Sequence, residues 1–149
     1  MYGEIVKSIT FLLAMLGYGG LTVTLIFSRK GKIPFTFWRV VSLIILLHVF
    51  MIWTIHYEWN FSTAVRNGYS GFLIFHSSLL MILISTFVYK SIALILIRIS
   101  SVVVTVGAVG AVFRYESVQS YKLPVIICAL AIGVTLLVIL NEKRKSMKR

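Results

Sequence analysis

The sequence predicts an all-α polytopic membrane protein, a bundle of five transmembrane helices with the N-terminus outside and the C-terminus cytoplasmic. Three observations carry this expectation. Of 149 residues, 59% are hydrophobic and 13% charged, with a mean hydropathy of +0.97; a soluble globular chain carries roughly 25% charged residues. Five apolar runs are long enough to cross a bilayer, which takes about 20 residues. The basic residues lie between those runs and at the C-terminus, and their density alternates from one connection to the next.

The first span covers residues 5–27. Lys7 before an apolar stretch imitates a signal peptide, but Glu4 weakens the basic region, no A-x-A site follows, and the run exceeds a signal-peptide core. It reads as a retained span. SRKGKIPFT supplies basic and Gly/Pro turn signals before the second span, 37–56. A polar, aromatic segment, YEWNFSTAVRNGY, leads to the third span, 70–89, with Lys90 directly after it. As one helix, the 44 residues 70–113 extend to about 66 Å, twice the hydrocarbon thickness. The chain therefore folds back near Lys90, and a fourth span covers 92–113. Arg98 in its second turn snorkels to the same interface as Lys90. RYESVQSYK forms the next connection, and the fifth span, 123–140, has Pro124 in its first turn. Residues 141–149 form a basic tail on what is otherwise a single transmembrane domain.

Charge orients the bundle. Arg29, Lys30, Lys32, Arg39, Lys90, Arg98, Lys143, Arg144, Lys145, Lys148 and Arg149 fall on one side, and Lys7, Arg66, Arg114 and Lys122 on the other. Three of the four glutamates, Glu4, Glu58 and Glu116, accompany the smaller group. By the positive-inside rule the larger group is cytoplasmic. Aromatic residues agree: Trp53, Tyr57, Trp59, Phe61, Tyr69, Tyr115 and Tyr121 gather at the outer boundary, Trp38 and Tyr89 at the inner one. The net charge of +11 is distributed for contact with anionic lipid rather than nucleic acid. Gly17, Gly19 and Gly20 in the first span, and Gly107, Ala108 and Ala111 in the fourth, mark helix-packing faces.

Several functions are disfavoured. The chain has no aspartate, and no glutamate lies deep in a span, which argues against proton- or cation-coupled pumping. P-loop, G-x-S-x-G, H-E-x-x-H, C-x-x-C and dinucleotide fingerprints are absent. Cys128 is alone and behaves as a small hydrophobe. NFS at 60–62 fits the glycosylation pattern on an outer loop.

The histidines carry the functional expectation. His48 lies eight residues, about 12 Å, inside the outer end of the second span, and His76 six residues, about 9 Å, inside the same end of the third. Two imidazoles at similar depth on adjacent antiparallel helices are the axial-ligand pattern of a b-type haem. His48 and His76 are thus the candidate metal ligands, with His56 as a substitute for His48 and Arg114 or Arg66 as propionate partners. Met51 and Met81 form no soft cluster with them, which disfavours copper. In span count and histidine ligation this layout resembles five-span haem subunits of respiratory complexes, an analogy of layout rather than of sequence.

The first functional expectation is a haem-binding electron-transfer or haem-handling protein of a bacterial or archaeal cytoplasmic membrane, serving a respiratory chain. The second is a non-catalytic subunit packed against other membrane subunits or its own copies. The third is a quinone-site protein or small transporter. No autonomous catalytic motif is present.

Overall fold

The computed structural model describes residues 2–29, 33–66 and 68–148, with the side chains of residues 5–29, 33–66, 68–116 and 118–148. Lys30, Lys32 and Arg149 of the inner basic group lie outside the described residues. The regular structure of the described residues is entirely helical, without strands. Its elements are α1 (Tyr2–Ser28), α2 (Phe35–Ile55), α3 (Phe61–Val65), α4 (Tyr69–Ser85), α5 (Lys90–Arg114), a 3-10 turn (Glu116–Tyr121) and α6 (Lys122–Ser146). Four helices are long and apolar enough to cross a membrane: Ile5–Ser28, Phe35–Ile55, Lys90–Arg114 and Val118–Ser146. α4 has 17 residues, about 25 Å of helix.

The boundaries depart from expectation in three places. α4 stops at Ser85, not near Tyr89. The hydroxyls of Ser85 and Thr86 bond back to the carbonyls of Ile82 and Leu83, and the Thr86 and Phe87 amides reach three residues back to Leu83 and Ile84. These bonds compete with continuation of the helix and tighten its last turn. The fold-back therefore spans residues 86–89, with Lys90 the first residue of α5. α6 continues through Lys143, Arg144 and Lys145 to Ser146, because these are good helix formers and their charges suit the negative end of the helix dipole. The connection after α2 contains α3, whose start is capped by Asn60: its Oδ1 accepts from the Ser62 amide at 3.0 Å and the Ser62 hydroxyl at 2.7 Å.

α1 and α5 are the central helices. α1 packs along α2 and touches α5 and α6; α5 packs along α4 and α6. Contacts at both ends establish the alternating directions. Arg29 at the end of α1 meets Glu142 near the end of α6 at 2.6 Å. Trp38 at the start of α2 donates to Ser85 at the end of α4 at 3.0 Å. Arg98 donates to the Ser28 carbonyl that ends α1, at 3.3 Å. These pairs define one end, here called the inner end. Phe11 and Tyr121, with centroids 5.7 Å apart, mark the other.

Two apolar clusters form the core. Leu21, Ile33, Trp38, Val41, Ile82 and Ile97 join α1, α2, α4 and α5. Tyr18, Leu25, Val112, Val125 and Ile132 join α1, α5 and α6, with Cys128 packed against them. α4 and α5 bury small residues, Ser78 and Ser85 on one and Ala93, Ser100 and Ser101 on the other, and the Ser100 hydroxyl reaches the Ser78 carbonyl at 3.4 Å. Large apolar side chains remain exposed around the bundle, among them Leu43, Leu73, Ile95, Val106, Leu130 and Leu137. Apolar helices exposed on their outer faces suit contact with lipid.

α1 and α2 approach closely at two glycines. A Cβ on Gly20 would stand 2.6 Å and 2.9 Å from the two methyls of Val41, and one on Gly17 2.8 Å from Ile45 Cγ1. Gly19, one residue from Gly20, has nothing within 4 Å. Gly20→Ala forces the Val41 side chain aside and is expected to lower stability by about 1 kcal/mol or more, overpacking outweighing helix propensity. Gly19→Ala is expected to raise stability by up to about 1 kcal/mol. Unfolding of both variants in detergent micelles measures the difference.

Candidate functional site

The helical repeat decides where each histidine points. Val41, Ile45 and His48 lie three and four residues apart, on one face of α2. Since Val41 and Ile45 rest on Gly20 and Gly17, His48 also faces α1. Its Nδ1 lies 2.9 Å from the Thr10 carbonyl oxygen. Thr10 has its own hydroxyl turned back to Val6.

His76 is held differently. Its Nδ1 lies 2.8 Å from the Phe72 carbonyl one turn earlier in α4, and the Trp53 indole donates to its Nε2 at 3.2 Å. An indole N–H only donates and a carbonyl only accepts, so these partners require the neutral imidazole with its proton on Nδ1. The ring stacks on Phe72 at 3.9 Å between centroids and meets Trp53 edge-on. Both ring nitrogens are therefore engaged, one within α4 and one across to α2.

Trp53 is itself fixed by an aromatic cluster. Tyr57, Trp59 and Phe72 all lie against its ring, with centroids 5.6–6.2 Å away. After α2 the chain turns through Glu58 and Trp59 at φ 49° and 56°, a left-handed conformation costing roughly 1–2 kcal/mol for each residue other than glycine. The turn brings the Trp59 amide 3.1 Å from the Trp53 carbonyl and the Trp59 ring against Phe50. The aromatic contacts and this hydrogen bond offset that cost.

The other residues that the sequence singles out are dispersed. His48 and His76 are held by separate partners on separate helices. His56 is exposed beside Tyr57. Arg66 is exposed at the end of α3, and Arg114, at the end of α5, lies over the Tyr115 ring at 5.5 Å. Gly107 has open space around it, whereas Ala111 lines a cleft between α1, α5 and α6. Among the described residues no three of His, Cys, Asp and Glu gather as a metal-binding group. The chain matches no family model, no curated protein and no solved structure.

Trp53, the residue that meets His76, is invisible to a count of depth. The information lay in the helical phase: His48 and Trp53 are five residues apart, which turns them about 140° from each other around α2. A helix that presents Trp53 to α4 must turn His48 elsewhere.

Trp53→Phe keeps the ring packing and removes the indole donor. It is expected to cost about 0.6 kcal/mol, the average for a hydrogen bond between membrane helices, read from unfolding in micelles. In the same variant the His76 Nε2 nitrogen resonance should shift toward that of a free lone pair, while the Nδ1–H signal stays; an unchanged Nε2 resonance would count against the bond.

Proposed function

We propose that this protein is a non-catalytic subunit of a helical membrane assembly, crossing the bilayer five times with its basic C-terminus in the cytoplasm. The observation that carries this reading is the inward satisfaction of most described buried polar side chains, Ser42 Oγ and Arg98 Nε excepted. His48 meets Thr10, His76 meets Phe72 and Trp53, Trp38 meets Ser85, and the Tyr18 hydroxyl meets Thr105. Each bond joins two helices or ends on its own helix backbone, so the polar groups serve cohesion. A transport path or a catalytic centre needs polar groups left available to a ligand.

For the fifth crossing, α4 stands at the lower limit of about 17 residues for a span. Flanking aromatic residues and local thinning accommodate a short helix at modest cost. The cytoplasmic assignment rests on the inner end, which gathers Arg29, Arg39, Lys90, Arg98 and the four described basic residues of the tail. A prokaryotic cytoplasmic membrane suits this charge distribution.

Haem ligation is the competing reading. It requires His76 to exchange the Trp53 indole for iron and His48 to turn from Thr10 toward α4. Purification from its native membrane in mild detergent separates the two. The subunit reading expects a colourless protein that migrates on native gels with a defined partner or further copies of itself. A Soret band, with a reduced α-band lost in His48→Ala and His76→Ala, would establish the cytochrome instead.

Topology has its own test, in a Cys128→Ser background. An impermeant maleimide is expected to label Ser120→Cys in intact cells, and Ser146→Cys only after permeabilisation. Labelling of both in intact cells would refute the odd number of crossings between them, and the reverse pattern would invert the orientation.

A further inference from the structure

At the outer end, α1, α5, the 3-10 turn and α6 enclose a cleft of about 130 Å³, close to the roughly 150 Å³ of apolar cavity that stays dry and accepts benzene. Phe11 and Ala14 of α1, Ala108 and Ala111 of α5, Tyr121 and Val125 form most of its wall. Tyr18, also in the wall, directs its hydroxyl away to Thr105 at 3.1 Å. The cleft thus offers hydrocarbon contact without a polar anchor, and it is partly open. Small residues create it: Ala14, Ala108 and Ala111 leave room where leucine would close the gap.

Cations stand at its outer rim by helical register. Arg114 is three residues beyond Ala111 and exposed; Lys122 is three residues before Val125, with its Nζ 5.1 Å from the Phe113 ring. Lys7 lies one turn outward from Phe11 on α1. Glu116, two residues after Arg114, is exposed in the 3-10 turn. An apolar slot with positive charge at its water-facing end is complementary to an anionic amphiphile.

We propose that this cleft is a binding site for one anionic phospholipid, with an acyl chain between α1, α5 and α6 and the phosphate at Arg114 and Lys122. The site rests on the bilayer location of the chain but not on its role as a subunit. A volume of this size holds a segment of one chain and is too small for a porphyrin. The two cations select headgroup charge, and the alanines admit the chain.

Native mass spectrometry of the full chain in detergent tests this, with phosphatidylglycerol and phosphatidylcholine carrying the same palmitoyl and oleoyl chains as probes. The wild type is expected to bind its first phosphatidylglycerol more tightly than phosphatidylcholine at low salt, and the preference should shrink as salt rises. Arg114→Ala and Lys122→Ala should each lower phosphatidylglycerol affinity roughly fivefold and leave phosphatidylcholine unchanged. Ala111→Phe, or Ala108→Phe as a second way to fill the cleft, should abolish the tight first equivalent of both lipids while helicity and elution stay as in the wild type. Equal affinity of the wild type for the two lipids overturns the proposal, as does undiminished binding in a folded, filled variant. Should neither filled variant fold, the exposed substitutions decide alone: an unchanged lipid preference in the double variant Arg114→Ala/Lys122→Ala overturns it.

Discussion

The contact of α1 with α2 at Gly20 and Val41 sets the rotation of α2, and most of the polar architecture depends on that rotation. With Val41 methyls where a Cβ of residue 20 would stand, the two backbones approach as closely as small-residue packing allows. The stripe Val41–Ile45–His48 is then committed to α1. Trp38 and Trp53, near the two ends of α2, each donate the indole N–H to α4, one to Ser85 at its end and one to His76 at its middle. α2 and α4 approach little along their backbones; two large side chains bridge a seam that close packing does not fill. Rotation of α2 by one residue would remove both bridges and turn His48 out of reach of Thr10.

Within such a bundle, a polar group that water cannot reach must find a partner in the protein. The hydroxyls of Thr22, Thr24, Ser78, Ser101, Thr105 and Thr135 do so by bonding to carbonyls three or four residues back. This leaves them compact, so they serve as small packing residues without demanding partners from a neighbour. The imidazoles cannot be satisfied that way alone, having two nitrogens on a rigid ring. His76 uses its own helix for one and Trp53 for the other, which turns a costly residue into a link between helices. Ser42 Oγ and Arg98 Nε, among the described buried side chains, lack such a partner.

Much of this fold was legible in the sequence, because length and hydropathy act over whole helices. The need to fold 70–113 back on itself followed from rise per residue alone, and the turn lies within four residues of Lys90. Local competition was harder to read. Ser85 and Thr86 look like any small polar residues in an apolar run, yet their bonds to Ile82 and Leu83 stop α4 and leave it at 17 residues. The sequence put His48 on α2 and His76 on α4 but did not show what each faces: His76 meets Trp53, five residues beyond His48 on α2, and His48 meets Thr10. Depth is a linear count, whereas the face a residue presents depends on which neighbour fixes the helix rotation. Gly17 and Gly20 were visible as packing residues; that Val41 and Ile45 were their counterparts was not, because the sequence carries no register between helices.

The two ends of the bundle are held by different physics, and this bears on where charge can reside. At the inner end, Arg29 and Glu142 form an ion pair about half exposed on each side. Glu142 stabilises the Arg29 cation through that hydrogen bond, but surrounding water screens the attraction. Arg98 reaches the last carbonyl of α1, where the helix dipole is negative, and so a cation well inside α5 is stabilised without an acid. The outer end has no counterpart of this kind among its described contacts. It is held by the rings around Trp53, by Phe11 on Tyr121, and by Lys122 over Phe113. Aromatic rings attract cations through their faces, and Arg114 and Lys122 lie over the rings of Tyr115 and Phe113 near the mouth of the cleft. Positive charge at the inner end is partly used in holding helices together, whereas at the outer end Arg114 and Lys122 rest on aromatic rings.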